Sequence, residues 1–199
     1  MKLKNVYFFV ILALIFSLLK IDYRFEEIPY GLEVDDAEYY YSAATIGLDF
    51  DLDFSNQMDG VENRYLNKEV KKVVPFHPIG SGILASPFIF IASIIEKIFY
   101  EDGLISLVYF SYSLAPVFYL FLSITLIQYS MNSLEIRYNK YLLLIAIFGT
   151  GVSYYAFDRF SMSHIYEFFA TSFLIYLSSK SLEKKNNSTL MYINFSLGF

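Results

Sequence analysis

The sequence predicts an all-α membrane protein, a multi-span helical bundle whose long first external loop carries juxtamembrane amphipathic helices. Three observations carry this expectation. The 199 residues are 56% hydrophobic and 20% aromatic, with a mean hydropathy of +0.43, more apolar surface than a soluble core of this size hides. An apolar run opens the chain and, after a long polar stretch, further runs recur from residue 82 to the end, separated by short polar turns. Charge is also segregated: within a net charge of -5, residues 21–76 hold thirteen acids against five bases. That acidic stretch belongs outside the membrane and argues against a nucleic-acid partner. The absence of cysteine excludes a disulfide scaffold and thiol or cysteine-metal chemistry.

The first run, 6–19, follows Lys2 and Lys4. The next residues, KIDYRFEE, contain no small-residue cleavage pattern, so the run reads as a retained anchor rather than a signal peptide. It rises about 21 Å as a helix. A snorkelling Lys20 and interfacial Tyr7 and Tyr23 extend the span to about 5–23. An external loop over 24–103 follows. Within it, Ala37, Tyr40, Tyr41, Ala44 and Leu48 recur at helical spacing, with Glu38, Ser42, Thr45 and Asp49 on the opposite side, which predicts a helix over 36–48 lying on the membrane surface. Residues 49–54 alternate acid and apolar with period two, the pattern of an extended segment. The run 83–95 contains Pro87 and is short for a crossing, so a second surface helix is expected over 81–99.

Spans are expected at about 104–127, 141–157 and 163–179. The last run, 189–199, rises only about 16 Å and reads as an incomplete span, which makes the chain the N-terminal fragment of a longer protein. Keeping 83–95 at the outer surface decides the topology. If every run crossed in alternation, Arg137, Lys140, Lys180, Lys184 and Lys185 would all lie outside, against the positive-inside bias. With 83–95 at the surface they join Lys2 and Lys4 in the cytoplasm. The same assignment puts the turn FDRFSMSH (157–164) on the outer face with Asp35, Asp36 and His77. Asn186-Asn187-Ser188 spells a glycosylation acceptor but falls inside.

Several of these residues are candidates for chemistry. Asp35 or Asp36 sits at the N-terminus of the first surface helix, where backbone N–H groups and the helix dipole favour an ionised carboxylate. Neighbouring side chains diverge, so one of the two faces a pocket; two solvated loop acids, one capping the helix, is the competing reading. Asp51 and Asp53, with Asp49, line one face of the alternating segment and are candidate ligands for a hard divalent cation, against the plainer reading of a half-buried edge strand. FHPIGSG joins His77 to a proline and to glycines that free backbone N–H groups for a ligand, and Lys71 and Lys72 nearby suit a phosphate. Asp158, Arg159, His164 and Glu167 cluster where one span ends and the next begins, a position at which ionisable groups are functional candidates. Arg159 suits a bidentate phosphate contact or a local pair with Asp158. His164 and Glu167 share one helix face.

DDAEYYYSAATIGLDFDLDFSN, HPIGSGILASPF and RFSMSHIYEFFATSFLIYL, in that order, resemble the N-terminal part of integral-membrane glycosyltransferases of the GT-C class, of the protein O-mannosyltransferase and aminoarabinose-transferase type. The resemblance implies an enzyme of a bacterial inner or plasma membrane, its N-terminus cytoplasmic, that moves a sugar with inversion from a polyprenyl-phosphate donor to a glycan, lipid or protein acceptor at the outer face. It implies Asp35 as the base, with Asp36 where the family usually has Glu. It places His77 near the lipid phosphate, and His164 close to where relatives carry an acid in the second external turn. No organic cofactor is implied, and a divalent cation is left open. The rival readings are a transporter or flippase segment and a non-catalytic truncated remnant.

Overall fold

The computed structural model describes residues 35–58, 65–69, 71–99 and 107–184. The expected spans at 5–23 and 189–199 lie outside the described residues. The described chain is mostly helical: α1 (Asp35–Ala44), a π-helical turn (Thr45–Asp49), the short strands β1 (Leu66–Asn67) and β2 (Lys72–Val73), then α2 (Gly80–Phe99), α3 (Leu107–Ser133), α4 (Lys140–Phe148), α5 (Gly151–Phe157) and α6 (His164–Lys184). The chain divides into two compact units, one of residues up to Pro116 with Ser161–Ser163, the other of Val117–Phe160 and residues from His164 onward.

In the first unit α1 opens with three acids, Asp35, Asp36 and Glu38, in its first turn, where they complement the partial positive charge of the helix end. The helix starts where the sequence predicts and gives way to the π-helical turn across the rest of the expected range. Its environment is different. Glu38, Ser42 and Thr45, expected on a solvated side, are 2%, 1% and 0% exposed. The cause is coverage from two directions. Ala37 and Tyr41 pack with Phe54, Met58, Tyr65 and Val73 in a small core, closed by the antiparallel pairing of Leu66 with Val73 and Asn67 with Lys72. On another side α1 and the π-helical turn meet α2 through small residues. A Cβ on Gly82 would lie 2.7 Å from Ser42 Cβ, and one on Gly47 would lie 2.8 Å from the Ser86 carbonyl oxygen. Backbones that approach this closely leave no room for water around Ser42.

Helix α2 spans 20 residues, about 30 Å at helical rise, which by length and composition alone is enough to cross a membrane. It exceeds the thirteen-residue apolar run because Gly80–Gly82 and Glu96–Phe99 continue the same helix. Pro87 removes the N–H that would bond the Ile83 carbonyl; the Ser86 hydroxyl donates to that carbonyl instead, at 2.9 Å. Ser81, Gly82, Ala85, Ser86, Ile89 and Ala92 form the buried stripe, while Phe90, Ile91, Ile94, Ile95, Ile98 and Phe99 are exposed. Its acid Glu96 accepts from the backbone N–H groups of Leu107 and, at 3.2 Å, Val108, satisfying donors that the start of α3 leaves without helical partners. Among the described residues α2 and α3 are the two helices long and apolar enough to cross a membrane.

The second unit contains the 117–133 part of α3 with α4, α5 and α6. Tyr119 packs on Tyr166 and Phe169, with ring centroids 5.4 and 4.8 Å apart. Asn139 caps α4 by accepting from the Tyr141 N–H at 2.9 Å. The single span expected over 141–157 is two short helices, broken at Gly149 and Thr150. The break is stabilised by hydroxyl groups that pick up the interrupted carbonyls. Thr150 donates to Ile147 at 2.8 Å, and Ser153 to Phe148 at 3.1 Å. Helix α6 covers the expected 163–179 and continues to Lys184; it does not meet the apolarity that α2 and α3 show.

Candidate functional site

The first turn of α1 and the loop that leads from β2 into α2 meet at Glu38 and His77. The Glu38 Oε2 atom accepts from the Phe76 N–H at 2.8 Å and the His77 N–H at 3.3 Å. It also lies 2.9 Å from His77 Nδ1. One oxygen of a side chain only 2% exposed thus holds both the backbone and the ring of a residue 39 positions away. Pro78 has no N–H of its own, and the chain bends at Phe76 and His77, so that two consecutive N–H groups turn toward the carboxylate.

Asp35 lies one turn before Glu38, so the two carboxylates share a helix face. Its Oδ1 is 3.8 Å from His77 Nε2, and its side chain is 62% exposed. Asp36 is 3% exposed. The adjacent acids therefore differ sharply: Asp35 faces outward beside His77 and Asp36 faces the interior. The Tyr39 ring sits 5.0 Å from the imidazole and forms one wall. Asp35, Glu38 and His77 can each turn one donor atom into a common region, all within 4.8 Å of one another, the arrangement a metal ion requires; among the described residues no other group does so.

Residues 49–54 do not form the expected extended segment. The chain leaves the π-helical turn through Phe50 in the left-handed region, with φ 59°, and folds into consecutive side-chain-capped turns. Asp51 accepts from the Asp53 N–H at 3.0 Å, and Asp53 accepts from the Ser55 N–H at 3.1 Å and hydroxyl at 2.7 Å. Asp49 accepts from the side-chain amides of Asn56, at 3.0 Å, and Gln57. Local turn formation uses each carboxylate separately, so Asp51 and Asp53 do not converge on a cation. The Ser55 hydrogen bonds, hydroxyl first, hold the Asp53 carboxyl below the usual carboxylate range, with Lys72 contributing.

Lys71 and Lys72 are exposed at the hairpin, Lys71 in the left-handed region with φ 52°. In the second unit, Arg159 follows the end of α5 and its backbone N–H donates to the Tyr154 carbonyl at 3.0 Å. His164 opens α6, its Nδ1 3.6 Å from Glu167 Oε2, the shared face that their spacing predicts. The Tyr155 ring packs edge-on against it at 4.2 Å.

Sequence reasoning placed Asp35, Asp36 and His77 among the candidates and missed Glu38, which joins them. A signal was present. Asp35-x-x-Glu38 has the spacing of a capping box, although that motif points to a local N–H rather than to the distant loop at His77. No protein-family model, curated protein or solved structure matches the chain.

Proposed function

We propose that this chain belongs to a membrane glycosyltransferase that moves a sugar from a polyprenyl-phosphate donor to an acceptor hydroxyl or amine at the outer membrane face, with Asp35 as base. One observation carries the reading: an exposed carboxylate stands at the start of a buried helix, beside a histidine locked in place, in a unit whose longest helix presents an unbroken apolar face. In the reaction, Asp35 takes the proton of the acceptor nucleophile as that atom attacks the anomeric carbon. The bond from that carbon to the phosphate oxygen breaks, its electron pair leaves with the lipid phosphate, and the configuration inverts. Lipid phosphate is a good leaving group and needs no strong acid. Between the adjacent acids, exposure favours Asp35, because a base needs to touch the acceptor. The multi-span topology, with the acidic loop outside, belongs to the same proposal and rests on the distribution of Lys and Arg.

The break between α4 and α5 favours a second reading. Interrupted helices in a membrane domain are the usual framework of transporters, and in that reading the lipid-linked sugar is the cargo. Two assays on the full chain in proteoliposomes separate the readings. Transfer of labelled sugar from a synthetic polyprenyl-phosphate donor to added acceptor is expected to fall about 10²- to 10⁴-fold in Asp35→Asn, the contribution of a general base. Movement of the donor across the bilayer with no acceptor present is the transporter's signature. Normal transfer rates in both Asp35→Asn and Asp36→Asn would remove the base assignment.

A further inference from the structure

We infer that Asp35, Glu38 and His77 form a binding site for a divalent transition-metal ion, with zinc the best fit. Two carboxylates face one imidazole, and among the described residues His77 is the only ion-pair partner of either acid. Concentrated negative charge of this kind, half enclosed by protein, is compensated either by protons or by a cation. The donor set, one ring nitrogen and two carboxylate oxygens, suits borderline metals such as zinc more than calcium or magnesium, which take oxygen ligands alone.

The geometry is close to what such an ion needs. Zinc bonds to nitrogen and oxygen at about 2.1 Å, so two ligands at the tetrahedral angle lie about 3.4 Å apart. His77 Nδ1 and Glu38 Oε2 are 2.9 Å apart and joined by a hydrogen bond. A metal ion entering here replaces the proton on Nδ1, and the pair opens by about half an ångström to reach the tetrahedral spacing. Both donors are already oriented: the Phe76 and His77 N–H groups donate to the same Glu38 oxygen, Oε2, and fix the carboxylate beside the ring, as hydrogen bonds to a metal-binding carboxylate do. Asp35 is the third ligand. One donor atom from each residue falls within 4.8 Å of the others; the Asp35 oxygen stands 3.8 Å from the far ring nitrogen, Nε2, so this side chain, the most exposed of the three, swings toward Nδ1 to complete the set. Three protein ligands leave a fourth position open to water or substrate, as in catalytic rather than structural zinc sites.

The inference rests on this geometry and not on the proposed transfer reaction, and its test contains no sugar donor. The full chain in detergent is stripped with a chelator and titrated with zinc chloride by calorimetry in buffers of different ionisation enthalpy. Metal content after desalting is read by mass spectrometry. The wild type is expected to take up one zinc per chain and to release protons as it does so. Asp35→Asn, a change at an exposed position, is expected to bind at least about tenfold more weakly while melting like the wild type in chelator. His77→Ala is expected to abolish stoichiometric binding. Cobalt provides an independent readout, because coordination by the site gives visible absorption that Asp35→Asn diminishes. Absence of saturable zinc binding to the wild type overturns the inference, as does equal binding by the wild type, Asp35→Asn and His77→Ala.

Discussion

Replacing Glu38 with alanine is expected to destabilise the first unit far more than any neighbouring exposed acid would. The side chain is 2% exposed, and its Oε2 receives two backbone N–H groups and the His77 ring nitrogen. Hydrogen bonds to a charged acceptor are worth about 1.5 to 3 kcal/mol each. His77 is 30% exposed, so water recovers part of that loss, and the 3.3 Å contact is a weak one. The net cost is about 2 to 4 kcal/mol. For a chain of this length about 2 to 4 °C accompanies each kcal/mol, so the melting temperature of the detergent-solubilised protein should fall by about 5 to 15 °C. Glu38→Gln keeps an acceptor for the two N–H groups and should fall less. A melting temperature for Glu38→Ala within about 2 °C of the wild type, the range of an ordinary surface substitution, would refute the claim that this carboxylate fastens α1 to the loop before α2.

Three further outcomes follow from the same structure. Gly82→Ala puts a Cβ 2.7 Å from Ser42 Cβ and 3.0 Å from the Ala43 nitrogen; overpacking of this kind costs about 1 to 3 kcal/mol, whereas Gly80→Ala meets nothing within 4 Å and should melt like the wild type in the same assay. Glu96→Ala strips the acceptor from the first N–H groups of α3 and should cost about 1 kcal/mol, the usual value of a lost helix cap, read by chemical denaturation. The Tyr40 hydroxyl is pushed up from 10.0 to about 12, by burial first and then by the Glu96 and Tyr41 charges. Between those values the unfolded chain has released this proton and the folded chain has not, so stability falls as pH rises through the window. Tyr40→Phe should lack that part of the alkaline loss when denaturation midpoints are compared on either side of it.

Much of the helical framework was legible in the sequence because it is local. The apolar spacing from Ala37 to Leu48 and the run around Ile89 each marked a helix close to its observed bounds, and the His164 and Glu167 spacing gave a true contact. What was not legible depends on residues far apart in the chain. Glu38, Ser42 and Thr45 look like a solvated stripe, yet a hairpin and a second helix cover them. Nothing near Glu38 in sequence announces that its partners are Phe76 and His77. The alternation from Asp49 to Phe54 misled for a related reason: a carboxylate that caps the N–H two residues ahead competes with extended structure, and Asp51 and Asp53 both do so. The break at Gly149 and Thr150 was hidden inside an apolar run whose composition is that of an uninterrupted span. The candidate site was half visible, with Asp35 and His77 read as separate motifs and the buried acid that unites them read as surface.

The central claim is that Asp35 is the base of the proposed transfer and that the fold does not depend on it. It is tested most directly by measuring, on one preparation of the full chain in proteoliposomes, both the melting temperature and the rate of labelled-sugar transfer from a polyprenyl-phosphate donor, for the wild type and Asp35→Asn. The account predicts unchanged melting with transfer lowered by at least about a hundredfold. Transfer at the wild-type rate by a normally folded Asp35→Asn would contradict it.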